Sequence, residues 1–229
     1  MNSTSGFMGG LYLIAEWVMK FSVTNLLWIV FNLPIIFIVL NMLFVEQIES
    51  LVFLMIPFII LLPFFFFPAT TAMFGVVRDW IIKDEEGHQI FKLYWRYYKE
   101  NYKRSIANGL VLTTAWVVLA ADIYYFYEKN TAIMIFFIIM GIILFVFTIN
   151  LFSVTVHYHM SFVTSFKNAF LISIGSPGLF LTVAISNGIV LYMSLHFSKY
   201  LLVFLTISLI VFLSFSAFYR NYLKITEKV

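Results

Sequence analysis

Side chains suited to catalysis or metal binding are few and widely separated in this sequence. The chain has four histidines and no cysteine, which excludes thiolate catalysis, disulfides and Cys-based metal sites. His157 and His159 are two residues apart, so a helix would direct them about 200° apart, and no third ligand stands close to them. No Ser/His/Asp set or carboxylate pair has a plausible spacing either. We therefore expect no metal, no cofactor and no enzymatic activity, and place both histidines with Tyr158 at the inner membrane interface.

The most ordered chemistry lies in a charged segment from residue 78 to residue 104, which holds 12 of the 25 charged residues. On a helical wheel its basic side chains share one stripe, and aromatic side chains occupy much of the remainder. The stripe contains Lys92, Arg96, Lys99 and Lys103, and the aromatic set contains Phe91, Tyr94, Trp95, Tyr98 and Tyr102. This pattern predicts a basic amphipathic helix from Phe91 to Lys103.

Such a helix has three interpretations. Its aromatic side can lie at headgroup level while the basic side meets anionic lipid, or the basic side can dock a cytoplasmic partner. Basic and aromatic residues also alternate in sites for single-stranded nucleic acid, but a loop tethered between two membrane spans disfavours that partner. The predicted lipid or partner contacts are Lys92, Trp95, Arg96, Tyr98, Lys99 and Lys103.

Six stretches of the chain contain no Asp, Glu, Lys or Arg, and they are the candidate helices that would hold the charged segment in place. They cover residues 21–45, 50–77, 105–121, 130–166, 168–198 and 200–219. A bilayer core about 30 Å thick needs roughly 20 apolar residues per helix, so five stretches suffice and the third, with 17 residues, is at the lower limit. We predict an all-α polytopic bundle of about six transmembrane helices with cytoplasmic amphipathic helices.

Composition supports the same class. The chain is 62% hydrophobic and 11% charged, whereas a soluble domain carries about 25% charged residues. Six spans and their connections use nearly all 229 residues, which leaves no room for a separate globular domain. Residues 1–229 are therefore expected to form one membrane domain.

Basic residues predict the orientation of the spans. Twelve Lys and Arg residues, Lys20 included, fall on one side of the predicted membrane and two on the other. Because positive residues are retained in the cytoplasm, both termini and the 78–104 loop are predicted to be cytoplasmic.

Local signals refine three of the spans. Residues 7–21 have helical apolar spacing and a Glu16–Lys20 pair, which predicts an interfacial helix leading into the first span. Prolines predict bends in the first two spans. The run from Gly175 to Gly178 predicts a helix break, with the fifth span beginning near Pro177. Asn32 and Asn150 are expected to form hydrogen bonds between helices, although a substrate path remains an alternative.

Several short motifs resemble one family. Asn25-Leu26-Leu27-Trp28, Phe67-Pro68-Ala69-Thr70-Thr71-Ala72-Met73, Val76-Val77-Arg78-Asp79-Trp80 and Tyr98-Lys99-Glu100-Asn101 are similar to motifs of the YesL family, bacterial membrane proteins also catalogued as a domain of unknown function. The resemblance is specific from Gly6 to about Leu110. It implies a multipass cell-membrane protein of a Gram-positive bacterium, often encoded beside carbohydrate ABC importers, and supplies no catalytic residues.

Two functions remain open. The resemblance favours an accessory or regulatory subunit associated with an oligosaccharide ABC importer, with permease subunits as possible partners. The alternative is a self-contained transporter or channel for a small neutral solute, which six spans, bent helices and scattered asparagines would allow. No P-loop is present, so any ATP hydrolysis must occur on another chain, and the Glu-Ala-Ala coupling loop of importer permeases is also absent.

Overall fold

A computed structural model describes residues 7–83, 89–158, 160–196 and 199–227, and every regular element within them is helical. The elements are α1 (Phe7–Phe31), α2 (Leu33–Leu43), α3 (Ile48–Leu61), a π-helical turn (Leu62–Phe66), α4 (Phe67–Lys83), α5 (Ile90–Phe126), α6 (Thr131–His157), α7 (Phe162–Gly175), α8 (Pro177–His196), α9 (Lys199–Phe204) and α10 (Thr206–Thr226). The predicted all-α fold class is confirmed.

Five helical segments in the described part of the chain are long and apolar enough to cross a membrane. They are α1, the continuous Ile48–Lys83 segment, α5, α6 and α8. The protein is therefore a polytopic membrane protein. The predicted sixth span, 200–219, is divided between α9 and α10, and the last two turns of α10 carry Arg220 and Lys224. This polar end lowers the average hydropathy of α10.

The first predicted span differs from the observed helices. Helix α1 continues through residue 21 without a break, ends at Phe31, and is followed by α2 from Leu33. Pro34 lies in the first turn of α2, where its fixed φ and missing N–H suit a helix start. The predicted bend is thus a helix break, and the predicted 7–21 interfacial helix is the first part of a longer helix. The Glu16–Lys20 pair is present, with the charged atoms 2.7 Å apart.

The segment from residue 78 to residue 104, predicted to be a cytoplasmic amphipathic loop, is divided between two helices. Arg78 to Lys83 complete α4, and Ile90 to Arg104 form the first four turns of α5, which then continues to Phe126. Residues 84–88 lie outside the described ranges. The amphipathic segment is helical as predicted, and it continues without a break into the third span. The predicted break before Pro177 is confirmed, because α7 ends at Gly175 and α8 begins at Pro177.

Helix α4 lies at the centre of the bundle, and all of its residues from Phe67 to Val77 are buried. It packs against α5, α6 and α10. A proline-containing π-helical turn precedes it, where the wider coil accommodates a ring that would clash with the preceding turn. Gly109 of α5 lies against this turn so closely that a Cβ there would be 2.9 Å from the Pro63 Cα atom. The absence of a side chain at residue 109 permits this approach.

Candidate functional site

Two arginines fasten the C-terminal end of α6 to α4 and α5. Arg78 of α4 donates a hydrogen bond to the Val156 carbonyl, and Arg104 of α5 donates to the carbonyls of Thr155 and Tyr158, each at 3.2 Å. The final carbonyls of a helix have no partners within it and carry partial negative charge, so cations stabilise them. We call this end of the bundle, where α4 ends, α5 begins and α6 ends, the basic end.

A buried carboxylate organises the basic end. Asp79 of α4 is fully buried, which is costly for a charge unless partners surround it. Its Oδ1 atom accepts from Arg78 at 2.9 Å, and its Oδ2 atom accepts from Lys83 at 3.2 Å and from the Tyr97 hydroxyl at 2.5 Å. The Arg96 guanidinium lies 3.6 Å from Oδ2. Asp79 therefore ties α4 to α5 and gathers three cations around one carboxylate.

Part of the predicted aromatic face points into the protein and not toward lipid. Tyr94 is fully buried, and its hydroxyl donates to the Ala69 carbonyl at 2.7 Å. The rings of Trp95 and Tyr98 pack against Phe31 of α1, with centroids 5.6 and 4.6 Å from it. The physical reason is that α5 lies along α4 and α1, where the rings bury area and the Tyr94 hydroxyl finds a backbone acceptor.

The predicted basic stripe separates into two parts. Lys92, Lys99 and Lys103 are exposed, and none of them is in an ion pair among the described residues. The Lys99 ammonium lies over the Trp95 ring, 4.7 Å from its centroid. Arg96 instead faces Asp79, donates to the Tyr97 hydroxyl and lies 3.9 Å from Glu100. We call the outward surface of Lys92, Trp95, Lys99 and Lys103 the lysine face.

His157 and Tyr158 lie among aromatic rings of α10. The His157 ring centroid is 4.6 Å from that of Tyr222 and 5.6 Å from that of Phe218. Burial, and secondarily Tyr222, raises the pKa of Tyr158. His159 lies outside the described residues. Within the described ranges no group of three or more His, Cys, Asp or Glu side chains could hold a metal ion.

Buried amide side chains form the polar links of the bundle interior. Asn150 of α6 donates to Ser173 of α7 at 2.8 Å, and Asn187 of α8 donates to Ser214 of α10 at 2.9 Å. The prediction of a bond between helices is thus confirmed for Asn150. It was wrong for Asn32, which donates to the Trp28 carbonyl of its own helix. Asn32 directly follows α1, and its side-chain amide reaches the Trp28 carbonyl four residues back, which also accepts the Asn32 backbone N–H.

Sequence reasoning missed the most extensively bonded amide. Asn25 is fully buried, accepts from the backbone N–H groups of Ile207 and Ser208, and donates to the carbonyls of Leu202 and Val203. It therefore satisfies backbone groups at the break between α9 and α10. The available signal was an asparagine inside a charge-free run, but its partners are about 180 residues away along the chain.

Comparison with known proteins confirms the family resemblance. Residues 21–123 match the family described as Protein of unknown function, DUF624. The chain is 26% identical to the uncharacterised protein YteU of Bacillus subtilis (strain 168), over 97% of this chain and 89% of YteU. It is 26% identical to the uncharacterised protein YesL of the same bacterium, over 91% of this chain and 90% of YesL. No solved structure matches the chain.

Proposed function

For this membrane protein with a DUF624 region, we propose the role of a non-catalytic accessory subunit that binds an acidic surface of a partner membrane complex through the lysine face. The resemblance to the YesL family favours the permease subunits of a carbohydrate ABC importer as that partner. In this proposal the protein resides in the cell membrane of a Gram-positive bacterium, with the basic end and both termini in the cytoplasm.

Exposed charge on the lysine face is the observation that carries the proposal. Lys92, Lys99 and Lys103 are exposed within the first four turns of α5, and their spacings of seven and four residues place the three ammonium groups along one side of a single helix. The arginines of this region have partners among the described residues. Arg78 and Arg96 face Asp79, and Arg104 binds backbone carbonyls of α6. A partner carrying carboxylates would complement the lysines and align itself along the helix.

Rigidity of the supporting helix also favours docking. The lysine face lies on the first four turns of an uninterrupted 37-residue helix. Tyr94 and Tyr97 fasten those turns to α4 through hydrogen bonds to the Ala69 carbonyl and to Asp79. A preformed surface loses little conformational entropy when a partner binds. This fits a permanent contact between subunits better than a loosely tethered loop would.

Substitution of the three lysines tests the proposal. The variant Lys92→Gln, Lys99→Gln, Lys103→Gln removes the charges and retains helix propensity. Arg96 stays unchanged, because its substitution would also disturb Asp79. The importer permease subunits are co-expressed with the tagged protein and co-purified in mild detergent at two salt concentrations. We expect the permease to co-purify with the wild type, more weakly at high salt, and to be lost from the variant.

A matched control separates the lysine face from general charge. Arg220→Gln with Lys224→Gln removes two exposed cations near the C-terminus on a different helix, and this variant should retain the permease. If the triple variant binds the permease with wild-type affinity and salt dependence, the docking proposal is wrong.

A transporter for a small neutral solute is the second candidate, and unpaired polar atoms inside the bundle favour it. The side-chain oxygens of Asn108 and Asn150 are buried without a hydrogen-bond partner among the described residues, and a passing solute could supply donors to them. Uptake of a solute by liposomes that contain only this protein would support transport. Asn150→Leu should then abolish uptake while protein stability falls by only about 0.5–2 kcal/mol.

A further inference from the structure

A half-open cavity of about 340 Å³ lies between the π-helical turn and helices α4, α5, α6, α8 and α10. Its wall is mainly aromatic and aliphatic, with Phe66, Phe74 and Ile210 among the lining residues. Three threonines, Thr70, Thr113 and Thr148, also line it. An apolar wall with a few placed polar groups is the usual composition of a small-molecule site.

The cavity lies at mid-depth of the bundle. Thr70 is nine residues before Asp79 in α4, and Thr113 is nine residues after Arg104 in α5. At 1.5 Å per residue, both threonines are about 13 Å from the basic end. This is roughly half the thickness of a bilayer core. Water is scarce at that depth, so a polar group in the cavity wall needs a partner within the protein or on a ligand.

Two of the three threonines have such partners. The Trp28 indole donates to Thr70 at 3.0 Å, and the Trp116 indole donates to Thr148 at 3.3 Å. Thr148 also donates to the Leu144 carbonyl at 2.7 Å. Thr113 is only 5% exposed, and its hydroxyl has no hydrogen-bond partner among the described residues.

We propose that this cavity binds a neutral, mainly apolar molecule that carries one hydrogen-bonding group, such as an alcohol or a carbonyl, and that Thr113 binds that group. The apolar wall would contact the apolar part of the ligand, and the unpaired Thr113 hydroxyl would form a hydrogen bond with its polar group. An apolar cavity of 150 Å³ stays dry and binds benzene, so this volume admits a molecule roughly twice that size. Few polar groups line it, which disfavours a carbohydrate ligand.

A photoactivatable octanol with a diazirine on its chain is a suitable probe. The full-length protein in lipid nanodiscs is irradiated with the probe, and labelled peptides are identified by mass spectrometry. We expect saturable labelling of peptides that contain Phe66, Phe74 or Ile210, displaced by unlabelled octanol. Octane should displace it roughly three- to tenfold less well, because it cannot form the hydrogen bond to Thr113.

Adjacent threonines provide a matched pair of variants. Thr113→Val should weaken probe binding roughly three- to tenfold and remove the preference for octanol over octane. Thr114→Val should change neither, because Thr114 faces away from the cavity and donates to the Leu110 carbonyl. A second variant, Ile210→Phe, fills the cavity and should remove saturable labelling while Thr113 stays unchanged.

The outcomes separate a specific ligand from a lipid tail. A tail that enters from the bilayer would compete with octane and octanol alike and would be indifferent to Thr113→Val, which would overturn the proposal. Labelling confined to lipid-facing residues such as Val118 or Ile185 would overturn it as well. The proposal is independent of docking at the lysine face, so the fate of the permease interaction does not affect it.

Discussion

Asp79 shows how one side chain fixes the arrangement of the basic end. The fully buried carboxylate has all four of its partners, Arg78, Lys83, Arg96 and Tyr97, only if α4 and α5 are in this register. Shifting α5 along α4 would remove the Tyr97 hydroxyl and the Arg96 guanidinium from Asp79, whereas Arg78 and Lys83 belong to α4 itself and would stay; losing a hydrogen bond to a charged group costs about 1.5–3 kcal/mol. The main role of the Asp79 cluster is therefore to set the register of α4 against α5.

The substitution Tyr97→Phe tests this role of Asp79 by removing a single oxygen atom. The substitution removes the hydroxyl that donates to Asp79 and leaves the buried ring in place. A hydrogen bond to a charged group contributes about 1.5–3 kcal/mol, and we expect a loss of stability in this range, measured by denaturant unfolding in detergent. Tyr98→Phe is the control, because no hydrogen bond of its hydroxyl is present among the described residues and its ring has the same size. Equal stability of the two variants would contradict the assignment.

The close approach of helices α4 and α5 depends on a small residue at their contact. A Cβ added at Gly75 would lie 2.5 Å from the Tyr97 ring, and that ring is held in place by its bond to Asp79. Gly75→Ala should therefore push the helices apart and destabilise the bundle by about 1–3 kcal/mol. Its effect on the unfolding free energy can be compared with Gly188→Ala, where a Cβ meets no atom within 4 Å.

Gly188→Ala should be neutral or stabilising by up to about 1 kcal/mol, because alanine favours a helix. A neutral Gly75→Ala would mean that Tyr97 moves without cost. The inference that the bond to Asp79 holds the Tyr97 ring in place would then be wrong.

Elements that depend on local signals were predictable here, and contacts between distant segments were not. The Gly175–Pro177 break and the helical segment from Phe91 to Lys103 follow from turn residues and periodicity. The burial of Asp79 could not be predicted, because a charge at the end of an apolar run has the same pattern whether it faces solvent or another helix. Asn25 is a similar case, since its backbone partners lie in α9 and α10.

The orientation of the whole molecule in the membrane can be tested by labelling the two ends of one continuous helix. Ser50 and Lys83 are both in the Ile48–Lys83 segment, separated by about 50 Å along its axis. Because the chain has no cysteine, single cysteines can be introduced without background. In intact cells we expect a membrane-impermeant maleimide to label Ser50→Cys and not Lys83→Cys. The reverse pattern would show that the basic end faces outward.

Protection of the lysine face by a partner tests the central claim most directly. A single Lys99→Cys substitution is labelled with the impermeant maleimide in inside-out membrane vesicles, with and without co-expressed permease subunits. We predict rapid labelling when the protein is alone, because Lys99 is exposed, and at least about tenfold slower labelling when the permease is present. Equal labelling rates in the two preparations, with the permease confirmed in the membrane, would contradict the account.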